Sequence, residues 1–448
     1  KSVCFQIPAF IFGQNYHENA TSIIISPLIS LMKDQVDSLN SKGILACYIN
    51  SSLSKQQQEE KYKLIKLGKI KIIYVSPERL KSKQFINLIK KIKIIMVVVD
   101  EAHCISQWGN DFRPNYKKIS DFYQYLDQKV VKVAFSATAN KEVQKDICKT
   151  LKLNNPFIFY KSVLRKNLIL DVIKCQSETI KNLCLLRILN KHNNQTGIIY
   201  CSTRNTVENL TKFLIKFNIS SVFYHSKISK KEKEVIQNSF INGNIKLIIA
   251  TNAFGMGIDK NNVRFVIHYQ IPGNIENYYQ EIGRAGRDNK IAHCYSLYYK
   301  NDIKIQRKFI NKKSSHTKKN LEKLKKMLDL LETKNCRNNF ILKYFGEKIE
   351  NNCNNCDNCF NKKNNYKNIN ITKHPLLDKV SNEEIEIIKK LLKQKYLYKN
   401  PTNFLTDKEI CYLSILKPQN KRDCMNIPGL GKGWINQWWE IVSPVLKY

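Results

Sequence analysis

IIMVVVDEAHCISQWGNDFRPNY, residues Ile94–Tyr116, begins with six apolar residues, five of them β-branched, and ends in a polar stretch broken by Gly109 and Pro114. A run of that length and type reads as a strand. Its apolarity is continuous and does not alternate, so both faces are buried, as in the parallel sheet of an α/β protein. Ligands of such sheets bind at the carboxyl ends of the strands. Asp100 and Glu101 stand at that end. A carboxylate there can hold Mg²⁺ through water, and its neighbour can orient and deprotonate an attacking water. The same pair could equally be a plain helix N-cap, and taken alone it does not decide.

Further strands of the same kind lie on either side: SIIIS (Ser22–Ser26), KIIYVS (Lys71–Ser76) and KVAFSAT (Lys132–Thr138). Helical stretches separate them, one of which, LISLMKDQVDSLNSKG, stops at Gly43, a residue suited to a C-cap. A second α/β block contains GIIYCS (Gly197–Ser202), KLIIAT (Lys246–Thr251) and RFVIHY (Arg264–Tyr269). The expected fold is therefore two tandem parallel-sheet lobes, residues 1–160 and 161–300, with a cleft between them. Lys304–Leu331 reads as one helix with a basic face inside a Cys-rich module, residues 301–362. A linker, 363–380, and an all-α tail, 381–448, complete the expected organisation.

The chain of 448 residues carries 75 Lys and Arg against 37 Asp and Glu, a net charge of +38. That excess suits a polyanionic partner, although Lys and Asn are abundant throughout and a general compositional bias would produce the same total. No apolar run reaches the ~18 residues of a membrane span, and KSVCFQIPAF lacks a secretory pattern; a soluble intracellular protein is expected. Fourteen Cys without a secretory signal argue against a disulfide framework. Cys47, Cys148 and Cys184 sit in apolar stretches and read as small buried hydrophobes. Cys336, Cys353, Cys356 and Cys359 are clustered, with C-x-x-C spacing among the last three, and read as a structural tetrahedral Zn²⁺ site. A redox C-x-x-C is the competing reading, but four thiols are too many for it.

The stretch from Asp100 to Tyr116 resembles the joined motif II and aromatic-rich loop of the RecQ family of DNA helicases. The resemblance continues along the chain. SPLISLMKDQV (Ser26–Val36), YVSPERL (Tyr74–Leu80) and AFSATA (Ala134–Ala139) are similar to motifs Ia, Ib and III. GIIYCSTRNTVENL (Gly197–Leu210), ATNAFGMGIDKNNVRFVIHY (Ala250–Tyr269) and YYQEIGRAGRD (Tyr278–Asp288) are similar to motifs IV, V and VI. CRNNFILKYFGE and CNNCDNC resemble the zinc module of that family. The tail around IPGLGKG (Ile427–Gly433) is similar to the second half of an HRDC domain, with Trp434, Trp438 and Trp439 expected in its core.

Lys1-Ser2 gains meaning only from this context, as the end of a phosphate-binding loop whose Lys reaches the β- and γ-phosphates and whose hydroxyl holds Mg²⁺. The resemblance implies an ATP site that also uses Asp100, Glu101, His103, Gly257, Asp259, Gln280, Arg284 and Arg287, with Arg287 as the better arginine finger. Trp108, Phe112 and Arg113 are expected to sense DNA by stacking and phosphate contact. Ser76, Ser136, Thr138, Thr203 and Thr251, just after strands, are expected to hold DNA phosphates without reading sequence. The implied activity is ATP-dependent 3′–5′ unwinding of DNA, with single strands and duplex junctions as partners and a nuclear location inferred from the substrate. Two other readings stay open: an RNA helicase on the same scaffold, and a nucleic-acid-binding protein without ATPase, because the loop glycines that should precede Lys1 are absent from these 448 residues. Truncation inside that loop is the expected explanation, and little ATPase is expected of the fragment itself.

Overall fold

A computed structural model describes residues 2–15, 20–106, 114–175, 178–217, 219–255, 260–311, 317–347 and 352–360; in the tail it describes 405, 409–410, 412–413, 421–424 and 429–443. Lys1, Trp108, Phe112, Arg113, Gly257, Asp259 and the linker 363–380 lie outside the described residues. The chain divides into two compact units at Leu164/Arg165, a few residues beyond the expected boundary, and the segment from Asn339 to Glu347 belongs to the first unit.

The first unit is built on five parallel strands: β1 (Ala20–Ile25), β2 (Ala46–Ile49), β3 (Ile72–Val75), β4 (Lys93–Val99) and β5 (Val131–Ala134), in the order β2-β3-β1-β4-β5. The continuous apolar runs are explained by the two faces of this sheet. Ile23, Ile25, Val97 and Val99 point into one core, whereas Ile24, Met96 and Val98 point into the other, as the alternation of side chains along a strand requires. β1 and β4 are central, so their ends bring Ser26 and Asp100 side by side, and the Asp100 N–H donates to the carbonyl of Ile25 at 2.9 Å.

The second unit holds six parallel strands: β6 (Leu168–Cys175), β7 (Gly197–Tyr200), β8 (Val222–Tyr224), β9 (Leu247–Ala250), β10 (Phe265–His268) and β11 (Ala292–Tyr299), in the order β6-β11-β10-β7-β9-β8. Seven of the strands were legible as apolar runs. β2, β6, β8 and β11 were not, because they are short or interrupted by Asp, His, Cys and Tyr. Cys47 and Cys184 are buried, as expected, and burial pushes the Cys47 thiol up to about 12; Cys148 is half-buried.

The single helix expected over Lys304–Leu331 is a correction. Two described helices, Asn301–Asn311 and Thr317–Glu332, pack against each other. Each buries its own stripe, Asp302, Gln306 and Ile310 on one and Leu324, Met327, Leu330 and Leu331 on the other, which a single straight helix could not bring together. In the tail, Trp438 and Trp439 are buried in one cluster with Tyr412, Leu413 and Ile435, and Trp434 packs against it, so the three tryptophans are core residues. No described helix is long and apolar enough to cross a membrane.

Candidate active site and metal centre

The site begins where β4 ends. Asp100 is buried at the mouth of the strand. The next residue, Glu101, has φ 48° and ψ 43°, the left-handed region. A glutamate there costs roughly 1–2 kcal/mol and persists only where its surroundings hold it. Its N–H donates to the Asp100 carboxylate at 2.8 Å, and a short 3-10 helix, Ala102–Ile105, follows directly. The Ala102 N–H donates to the carbonyl of Phe135 at 2.8 Å, joining this turn to the end of β5.

His103 is buried and its Nδ1 lies 3.3 Å from a Glu101 carboxylate oxygen and 3.2 Å from the Ser136 hydroxyl. Ser136 also accepts from the Thr138 N–H at 3.3 Å. The AFSATA segment is thereby tied through His103 to Glu101. The hydroxyl of Ser136, a residue expected to hold DNA phosphates, is hydrogen-bonded within the protein. Thr138 is fully buried and Ser76, at the end of β3, nearly so. Ser2 starts the first helix of this unit, Ser2–Asn15.

Tyr116 was not singled out in the sequence. It is fully buried and its hydroxyl donates to the main-chain oxygen of Asp100 at 2.9 Å. An aromatic residue that closes a motif could be stacking platform or core alike, and nothing in sequence spacing distinguishes them.

In the second unit, Gln280 lies in the helix Ile275–Ile282, and Arg284 and Arg287 in the turn that follows. Gly286 has φ +55°; a Cβ there would lie 2.4 Å from the Asn167 amide nitrogen and 2.7 Å from the carbonyl of Lys290. The Gly286 carbonyl accepts from both Arg165 and Asn167 at 2.8 Å. Asp288 pairs with Arg264 at 2.6 and 2.7 Å. The GRAGRD turn is thus fixed on both sides of Arg287. Burial pushes the Tyr200 phenol up, and the charges of Arg284 and Arg287 act against that rise. The buried His268 pairs with Glu281 at 2.8 Å beneath the same turn. Thr203 accepts from the Thr206 N–H at 3.1 Å and is a helix N-cap. Thr251, buried at the end of β9, accepts from the Ala253 N–H at 3.4 Å.

The four expected cysteines do come together. One thiol each from Cys336, Cys353, Cys356 and Cys359 lies within 4.8 Å of the others, and Cys353 and Cys359 are 3.8 Å apart. Tetrahedral Zn–S bonds of ~2.3 Å require sulfur–sulfur edges of about 3.8 Å, so the residues fit Zn²⁺. The Arg337 and Asn355 N–H groups point at the sulfurs of Cys356 and Cys353, at 3.4 and 3.3 Å. The neighbouring Cys353 thiol and these N–H donors draw Cys356 toward the thiolate, the form a metal needs.

The structure adds the attachment of this centre. Cys356 forms a parallel bridge with Leu170 on β6, the sheet edge, and the Asp357 N–H donates to the Leu170 carbonyl at 2.9 Å. Asp357 also accepts from the Val172 N–H at 3.2 Å and forms a buried double ion pair with Arg337. Arg337 donates to the carbonyls of Leu330 and Leu331 at the end of its helix. A charge beside Cys336 and an opposite charge inside CNNCDNC were the available signal, and they went unread.

Residues 1–146 match the DEAD/DEAH box helicase family, residues 179–289 the helicase conserved C-terminal domain and residues 300–360 the RecQ zinc-binding family. The chain is 42% identical over 356 residues to the ATP-dependent DNA helicase RecQ of Bacillus subtilis, covering 79% of this chain and 58% of that protein. It is 38% identical over 454 residues to a putative ATP-dependent RNA helicase of Acanthamoeba polyphaga mimivirus, covering 100% and 80%. It spans a little over half of the bacterial relatives: 58% of the Bacillus protein and 55% of the Pasteurella multocida RecQ. Among solved structures, Saccharomyces cerevisiae Dbp5 bound to RNA and ADP BeF3 shares the fold at TM-score 0.54 and 19% identity, covering 74% of this chain and 86% of that one. The helicase MrfA bound to DNA and AMPPNP does so at TM-score 0.55 and 18% identity, covering 78% and 52%. With both helicase regions matched and the zinc module of one family following them, this chain belongs to the RecQ family of superfamily 2 helicases.

Proposed function

We propose that the full protein is an ATP-dependent DNA helicase that moves 3′ to 5′ on single strands and opens duplexes at junctions. The observation that carries this reading is the acid pair at the end of β4, with Glu101 held in a left-handed conformation beside His103. In this reading Asp100 and Ser2 hold Mg²⁺ and Lys1 the phosphates. Mg²⁺, when bound, neutralises charge on the transferred phosphoryl group. Glu101 takes the proton of the attacking water, and His103 relays its position to Ser136. By the family resemblance Gln280, Arg284 and Arg287 also serve the nucleotide, with Arg287 supplying the finger charge; Gly257 and Asp259 complete the nucleotide contacts. Trp108, Phe112 and Arg113 contact DNA bases and phosphates, and the main chain at Ser76, Ser136, Thr138, Thr203 and Thr251 holds the strand. The tail is assigned as HRDC-like. A nuclear location rests on the DNA substrate alone and is tested by imaging a tagged protein.

The test is ATP hydrolysis by the full-length protein with and without single-stranded DNA, beside Glu101→Gln. DNA-stimulated hydrolysis that falls at least about 10²-fold in the variant is expected, since a general base contributes ~10²–10⁴. Unwinding of a 3′-tailed but not a 5′-tailed duplex is expected as well. The mimivirus relative, named a putative ATP-dependent RNA helicase, favours a second reading, an RNA helicase. Stimulation by RNA alone would establish it, and silence with both polymers would leave a binding protein.

A further inference from the structure

The Asp100–Glu101 peptide is gripped at both ends. Its N–H, on Glu101, donates to the Asp100 carboxylate at 2.8 Å, and its oxygen, on Asp100, accepts from the Tyr116 hydroxyl at 2.9 Å. A peptide unit is planar and rigid, so fixing both ends fixes ψ of Asp100 and φ of Glu101 together. That φ is 48°, a value a non-glycine residue leaves unless held. Rotation back to an ordinary region would swing the Glu101 carboxylate away from His103, now 3.3 Å away. Tyr116 is fully buried, so no bulk water replaces its hydroxyl.

We infer that Tyr116 is a positioning residue for ATP hydrolysis, its hydroxyl holding the Asp100–Glu101 peptide so that Glu101 keeps the left-handed conformation in which it acts. The inference rests on Glu101 as general base. Tyr116 sits in the 3-10 helix Pro114–Lys118, packed against the 3-10 helix Ala102–Ile105 that follows Glu101. Asp100 and Tyr116 are the two ends of the stretch that includes Trp108, Phe112 and Arg113. Their hydrogen bond is made on the catalytic peptide itself.

The experiment uses the full-length protein at saturating ATP and single-stranded DNA. Tyr116→Phe keeps the ring that fills the core and removes only the donor. It is expected to lower kcat about 10-fold, the effect of one lost hydrogen bond at a buried acceptor. KM for ATP and half-saturation by DNA should stay near wild type, and the thermal midpoint should fall by only a few degrees, roughly 2–4 °C per kcal/mol lost. Site-specific 3-fluorotyrosine at 116, which retains a donor, should keep wild-type kcat. In a Glu101→Gln background, followed by single turnovers at high enzyme concentration, Tyr116→Phe should cause no further loss.

An unchanged kcat in folded Tyr116→Phe overturns the inference. So does an equal loss with fluorotyrosine, or the same 10-fold loss repeated in the Glu101→Gln background. Full activity of Glu101→Gln alone would instead overturn the general-base reading, so the two failures are distinguishable.

Discussion

Two glycines with positive φ separate backbone strain from crowding. Gly243, φ +89°, ends the helix Lys230–Asn242 with open space where a Cβ would go, whereas Gly286, φ +55°, faces Asn167 and the Lys290 carbonyl. Gly243→Ala should cost about 1 kcal/mol, the conformational part alone. Gly286→Ala should cost about 2–4 kcal/mol, because overpacking against main chain adds to it; thermal unfolding of both variants checks the difference. His192 offers a pH test. It is buried, its Nδ1 donates to Gln195 at 2.8 Å and its Nε2 accepts from the Tyr295 hydroxyl at 2.9 Å, an arrangement that a neutral ring satisfies. Burial, the main cause, lowers its pKa below the ordinary 6.5. The unfolded chain therefore binds this proton first on acidification, and stability present above pH 6.5 is lost as pH falls below it. Thermal midpoints should drop between about pH 7.5 and pH 5.5, and less steeply in His192→Gln.

At the scale of elements, a short bridge and the Asp357 carboxylate bind the metal centre to the sheet edge, and one buried ion pair holds that carboxylate. Arg337 and Asp357 are 4% and 7% exposed, and Asp357 also takes the Val172 N–H of β6. Arg337→Met leaves a buried carboxylate uncompensated and should cost about 3–5 kcal/mol, much of it recovered in Arg337→Met/Asp357→Leu. Denaturant unfolding of both variants measures this, and recovery absent in the double variant would show that the arginine's bonds to Leu330 and Leu331 matter more. Stripping zinc with a chelator should loosen the same edge, since four buried or half-buried thiols would lose their common ligand.

Across the whole molecule, the net charge of +38 bears on binding more than on fold. If phosphates are the partner, log affinity for single-stranded DNA should fall linearly with log salt, by ~0.7 per phosphate neutralised. Fluorescence anisotropy in rising NaCl measures the slope. A flat response would mean that the lysines reflect composition and not a binding surface.

The sequence by itself determined the two parallel-sheet lobes, because continuous β-branched runs such as Ile94–Val99 can be buried only on both faces of a sheet, and it determined the cysteine cluster through its spacing. It also placed Asp100 and Glu101 at a strand end, but the GRAGR arginines, whose spacing reads as a helix start, lie in the turn after the helix Ile275–Ile282. Only the tertiary structure decided what holds them. Tyr116 meets the Asp100 carbonyl across 16 residues, Arg165 and Asn167 meet Gly286 across about 120, and Asp357 meets β6 across 185. Such partners are fixed by how sheets and turns pack. Local composition records that a polar side chain is available, but the acceptor it finds depends on which distant main-chain atoms folding brings within hydrogen-bond reach.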